Sequence, residues 1–137
     1  MKKSKKKSRQ SRKNCSRCDR GKGEEFHCMR GRYVFDVDKA RRLVSDGRDK
    51  IELAPEDVEF SVGRCQINEL HLAHVDPSIP GIMAHVYFPD DGRVVHGHRL
   101  IDGHHRAARC RQLGVPFYIY VLSESESMEV LSTEFWW

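Results

Sequence analysis

No apolar stretch in the 137 residues approaches the eighteen or so needed to cross a bilayer. The cationic start lacks the apolar segment of an export signal, so neither a membrane span nor secretion is expected and the chain reads as cytoplasmic. Acidic residues are nearly missing from the front: residues 1–22 hold eleven Lys/Arg against the single Asp19, a charge of +10. The whole chain carries +4, which leaves −6 for the remainder. A basic domain that clamps duplex DNA is therefore not encoded, and any nucleic-acid partner falls to the leader, through counterion release. The same leader has almost nothing to bury, so it is expected to stay flexible.

An even, disulfide-like set of cysteines is also lacking. Five cysteines without an export signal point to reduced thiols or metal ligands. Cys15-Ser16-Arg17-Cys18 and His27-Cys28 offer four ligand atoms of the kind that a tetrahedral zinc knuckle uses, and the alternative is unliganded thiols in the leader. Cys65 and Cys110 read as small buried residues, with Cys110 facing the core.

Three stretches follow from this: a leader over 1–30, a strand–helix extension over 31–50, and a domain over 51–137. Tyr33, Phe35 and Val37 alternate as a half-buried strand, and a helix over 39–46 follows, capped by Asp38 and stopped by Gly47. Residues 51–58 read as a strand entering a Pro55 turn, and 66–75 as a helix. Ile82–Phe88 and Arg93–Ile101 flank the turn sequence Pro89-Asp90-Asp91-Gly92 and form a hairpin. A helix over 104–113 ends at Gly114, and the apolar run 117–122 suits a strand covered on both faces. A last helix is expected near 126–134 with Met128 and Leu131 inward. The order hairpin, helix, strand, helix gives an α/β (α+β) domain, a small mixed sheet with helices packed on it.

The chemistry-bearing segment is Asp102-Gly103-His104-His105-Arg106. A strand ends, a glycine permits a sharp turn, and a helix begins with its amides and positive dipole end directed out of the turn. Arg106 lies in the first helical turn, where its planar fork can meet a phosphate. His104 and His105 can donate to the same anion, and Asp102 can hold magnesium or orient a histidine.

Ile101-Asp102-Gly103-His104-His105-Arg106, with the helix and strand after it, resembles the signature of the ParB/sulfiredoxin superfamily. Leu53–Val58 and Ile79–Val86 resemble the opening strand and pocket wall of those domains. The resemblance implies nucleotide binding (ATP, ADP or CTP with Mg²⁺), with Gly103, His104, His105 and Arg106 on the phosphates. It also implies catalytic roles for Asp102, His104 and His105, should the nucleotide be hydrolysed or its phosphate transferred. For a kinase, Glu69 or Asp76 would accept the hydroxyl proton. His104 occupies the place of the sulfiredoxin catalytic cysteine, so sulfinic-acid reduction is not implied. Partition proteins of the family usually carry Gln-Pro where this chain has Ala84-His85, so the likeness is to stand-alone members.

Two other readings stand beside it. One is a non-enzymatic adaptor whose basic arm touches nucleic acid. The other is a metal-dependent nuclease or hydrolase, since His96-Gly97-His98 puts two imidazoles on one strand face, with His104 or His105 as a third ligand.

Overall fold

The computed structural model describes residues 23–28, Gly31 and residues 33–132. Its centre is a long hairpin, β4 (Gly81–Asp90) and β5 (Arg93–Asp102). The loop is only Asp91-Gly92, both left-handed at φ 51° and 77°, the conformation that matches the twist of paired strands. Pairing therefore runs outward from this loop in strict order, Asp90 with Arg93, Tyr87 with His96 and His85 with His98. It slips once, between Ile82 and Met83: Ile82 faces Asp102 while Met83 faces Leu100, so Ile101 is the extra residue of a bulge next to the predicted anion turn.

On its other side β4 pairs in parallel with β6 (Tyr118–Val121), and β6 pairs antiparallel with β3 (Ile51–Glu52), giving the order β3-β6-β4-β5. The sheet is mixed, as the sequence implies, and the protein is α+β. β6 reaches β4 only as far as Met83. Beyond it, side chains take over the strand's exposed amides: Ser127 Oγ accepts from His85 N (2.9 Å), and the Tyr33 hydroxyl accepts from Tyr87 N (3.1 Å) and donates to Tyr87 O (2.6 Å). The outer half of the hairpin thus projects past the sheet.

A second, two-stranded sheet joins β1 (Glu25–Cys28) to β2 (Tyr33–Asp36). β2 runs into helix α1 (Val37–Leu43), which a 3₁₀ turn (Val44–Asp46) extends to Gly47 at φ 86°. Asp36, not Asp38, caps α1 by accepting from Lys39 N, because the strand ends one residue before Val37. β1 lies in the stretch expected to be leader. Its signal was the alternation of Phe26 and Cys28, which pack on the core, with exposed Glu25 and His27.

Helix α2 (Pro55–Gly63) replaces the expected turn. Proline at its first position has no amide to lose, and Val58 and Val62, one turn apart, are both buried. Helix α3 (Glu69–Leu72) is far shorter than the 66–75 expected. Leu72 is its one buried residue while Leu70 is 75% exposed, so no apolar stripe sustains it. Helix α4 (His104–Leu113) follows the sequence reading and stops at left-handed Gly114. Helix α5 (Glu124–Glu129) starts earlier than expected because Ser123 and Glu126 form a reciprocal capping box. Ser127 and Val130 are buried and Met128 is 59% exposed, against the expected inward Met128.

The sheet separates two apolar clusters. Ile82, Ala84 and Val86 face Phe35, Ala40 and Val130 on one side. Leu100 and Ile119 face Val58, Ala107, Cys110 and Phe117 on the other, with Met83 against them. Strand alternation then directs His85 and Tyr87, like Met83, away from the first cluster. Among the described residues no helix is long and apolar enough to cross a membrane.

Candidate functional site

The bulge at Ile101 delivers Asp102 and Gly103 to the start of α4. Gly103 is left-handed at φ 102°, and a Cβ there would come within 2.9 Å of the Gly81 Cα and 3.2 Å of Arg106 Nη2. Only glycine suits a backbone this close to the neighbouring strand. The first helical bond is Ala107 N to Gly103 O, so the amides of residues 104–106 precede the helical ladder.

Asp102, 7% exposed, is the hub of this turn. Its Oδ2 accepts from Arg41 Nε (3.0 Å) and its Oδ1 from Arg41 Nη2 (2.9 Å), while Arg106 Nη2 lies 3.0 Å from Oδ2. Burial alone would push the carboxyl up, but the Arg41 hydrogen bonds and the charges of Arg106 and Arg41 outweigh it and hold Asp102 below the ordinary carboxylate range. The same hydrogen bonds raise Arg41, whose second carboxylate contact is Glu24 at 3.0 Å. Magnesium at Asp102 does not fit: both oxygens are engaged and two guanidinium charges flank them. Asp102 instead positions cations.

A cavity of about 470 Å³ opens at this turn, lined by Arg41, Arg106, Asp102, Gly103 and His104, and also by His71, His74 and Asp76. His104 stacks on Phe26 (centroids 5.0 Å apart, planes at 16°) and borders both this cavity and a neighbouring one of about 900 Å³. His105 also lines this cavity. It is buried, and its Nε2 accepts from the Asn68 amide (2.9 Å), so it anchors the loop before α3. Of the two carboxylates considered as a base, Asp76 lines the cavity and Glu69 does not. Hydrogen bonds from the Ser78 hydroxyl and amide lower the Asp76 pKa, which weakens it as a base.

The histidines of the hairpin assemble differently from the expectation. His96 and His98 do share a face, but the third member is His85, directly opposite His98, and not His104 or His105. One ligand nitrogen from each of the three lies within 4.8 Å of the others, and this group could hold a metal ion. Burial and the nearby imidazoles of His85 and His96 lower the His98 pKa, favouring the neutral form that ligates metals.

Of the zinc knuckle, Cys15 and Cys18 lie outside the described residues. His27 and Cys28 are neighbours on β1, so their side chains leave opposite faces and cannot both reach one ion. His27 pairs with Glu25 at 3.5 Å, and burial, only partly offset by Arg99, pushes the Cys28 thiol up to about 11. Cys110 is buried as expected, its thiol 3.4 Å from Pro77 O, while Cys65 is half-buried on the cavity walls.

Sequence reasoning missed Arg41 and His85. Arg41 carries no local signal, because it meets Asp102 only through the docking of α1. His85 had one: counting outward from a two-residue loop at Asp91-Gly92 pairs it with His98. Comparison with protein-family models, with curated proteins and with solved structures returns no match.

Proposed function

We propose that this chain is a phosphate-binding module of ParB/sulfiredoxin type that takes the phosphate groups of a nucleotide in the cavity at the start of α4. The observation that carries the reading is the buried Asp102 carboxylate, which fixes the guanidinium groups of Arg41 and Arg106 beside the Gly103 turn. Two planar cations held from behind lose little freedom when an anion arrives, and the first-turn amides and helix dipole act in the same direction. The cavity, at about 470 Å³, is of the size that encloses small ligands. Of the acidic groups that line it, Glu24 pairs with Arg41, Glu25 lies 3.5 Å from His27, and Asp76 accepts from Ser78 while keeping its charge. Magnesium, in this reading, arrives on the nucleotide and not on Asp102.

Calorimetric titration of the full chain with ATP, ADP and CTP in magnesium tests it. At least one should give saturable heat, and an Arg106→Ala change should weaken that binding by roughly 1.5–3 kcal/mol, the worth of a charge-assisted hydrogen bond. No heat from any of the three with folded protein refutes the reading.

A further inference from the structure

We propose that His85, His96 and His98 form a site for a divalent transition metal of the zinc type, with three imidazole nitrogens from the protein and at least one position open. It uses none of the residues assigned to phosphate, so either site can stand without the other.

The register of the hairpin builds the triangle. His85 and His98 are direct cross-strand partners, His96 is two residues from His98 on the same strand, and His96 lies diagonal to His85. Their ring centroids are 4.4, 4.7 and 5.0 Å apart. Gly97 between the two β5 histidines keeps that strand seated: a Cβ there would stand 3.1 Å from the Phe88 ring, so the aromatic closes the opposite face and both imidazoles are left on the outer one. The ligands therefore come from hydrogen-bonded strands and not from a loop, which limits the entropy lost on binding an ion.

His85 Nδ1 and His96 Nε2 are 2.5 Å apart, so the two rings share either an N–H···N hydrogen bond or a cation. A shared proton would satisfy those two atoms and leave His98 out, whereas a metal satisfies all three. With metal–nitrogen bonds of 2.0–2.1 Å, two ligands across a tetrahedral ion stand about 3.3 Å apart, between the 2.5 Å that separates His85 from His96 and the 4.8 Å that bounds the group, so the imidazoles reach that geometry by turning about their side-chain bonds. Three neutral nitrogen donors without a carboxylate suit zinc, copper or nickel and do not suit magnesium or calcium. His98 also lines the cavity of about 900 Å³, so a molecule held there has access to the open position.

The test uses the full chain, stripped by chelator and titrated with Zn²⁺ and with Co²⁺, beside a Cys15→Ser/Cys18→Ser variant that removes the knuckle thiols. We expect one ion per chain to persist in that variant. It should raise the thermal midpoint, and bound Co²⁺ should show the visible bands of nitrogen and oxygen ligation without a thiolate charge-transfer band. His96→Gln and His98→Gln should each weaken Zn²⁺ at least tenfold, while the midpoint of the metal-free protein, read by circular dichroism, stays where it was. His85→Gln provides a third arm from the opposite strand. Absence of binding in the Cys15→Ser/Cys18→Ser variant overturns the proposal. So does thiolate ligation of its Co²⁺, or a Zn²⁺ affinity indifferent to the His96→Gln/His98→Gln double change.

Discussion

Arg41 closes on Asp102 with both ends of its fork, Nε at 3.0 Å and Nη2 at 2.9 Å, across a sequence gap of 61 residues. One buried carboxylate thereby ties the first helix to the end of the hairpin and to the turn that begins α4. Removing a partner from such a buried pair leaves the remaining charges uncompensated. Asp102→Asn should cost about 3 kcal/mol in urea unfolding, because two guanidinium groups then face each other without their shared counter-charge. Arg41→Met should cost less, since its side chain is 40% exposed and water can repair part of the loss.

The turn itself admits no side chain. Gly103 is left-handed and a Cβ would press on the Gly81 backbone at 2.9 Å. Gly103→Ala should therefore lose roughly 1–3 kcal/mol from the strained dihedral alone, with the clash adding to it. The reading is a lowered urea midpoint with an unchanged slope. Nucleotide binding, if it survives, should weaken as well, because the Cβ also reaches Arg106 Nη2 at 3.2 Å.

Phe117 tests the second apolar cluster. The ring is 2% exposed at the edge of β6, packed below α2 and α4, and it approaches Gly81 so closely that a Cβ there would lie 2.7 Å away. Phe117→Ala should cost about 3–5 kcal/mol by cavity formation. Gly81→Ala should also destabilise, from the opposite cause of overpacking, and adding Phe117→Ala should relieve only the ring's share of it, because the Cβ also meets the Asp102 carbonyl at 2.6 Å.

What the sequence discloses of this fold depends on how local the signal is. Helix α4 was legible because glycines at 103 and 114 bracket it and both adopt the left-handed conformation that bracketing requires. The hairpin was legible because Asp91-Gly92 leaves few alternatives for a two-residue loop. Met128 was misassigned because the face of α5 that docks is set by tertiary contact, with Ser127 accepting from the His85 amide and Val130 in the first cluster. The link between Arg41 and Asp102 had no local trace. It arises when Phe35 and Ala40 pack against Ile82, Ala84 and Val86, a tertiary event that brings two helices and a strand end to one point. His105 shows the same limit from the other direction: sequence placed it in the turn, and only packing revealed that its Nε2 accepts from the Asn68 amide.

Acid should weaken the protein through Glu126. Arg48 donates to both Glu126 oxygens (2.9 and 2.6 Å) and to the carbonyls of Leu43 and Val121, so one side chain clips the end of α1, the end of β6 and α5 together. The Arg48 hydrogen bonds come first, then the Ser123 amide, in lowering Glu126 from 4.5 to about 2. A folded pKa below the unfolded one means the native state favours the charged form. The contribution is therefore complete above about pH 4.5 and lost as pH falls toward 2. Glu126→Gln should accordingly be less stable than the parent by about 1 kcal/mol at pH 7, a figure kept small because water screens the pair. The difference should shrink steadily between pH 4.5 and pH 2. Urea midpoints of the two proteins across that interval measure it, and a gap that stays constant with pH would mean the clip is held by the Leu43 and Val121 carbonyls and not by the charge of Glu126.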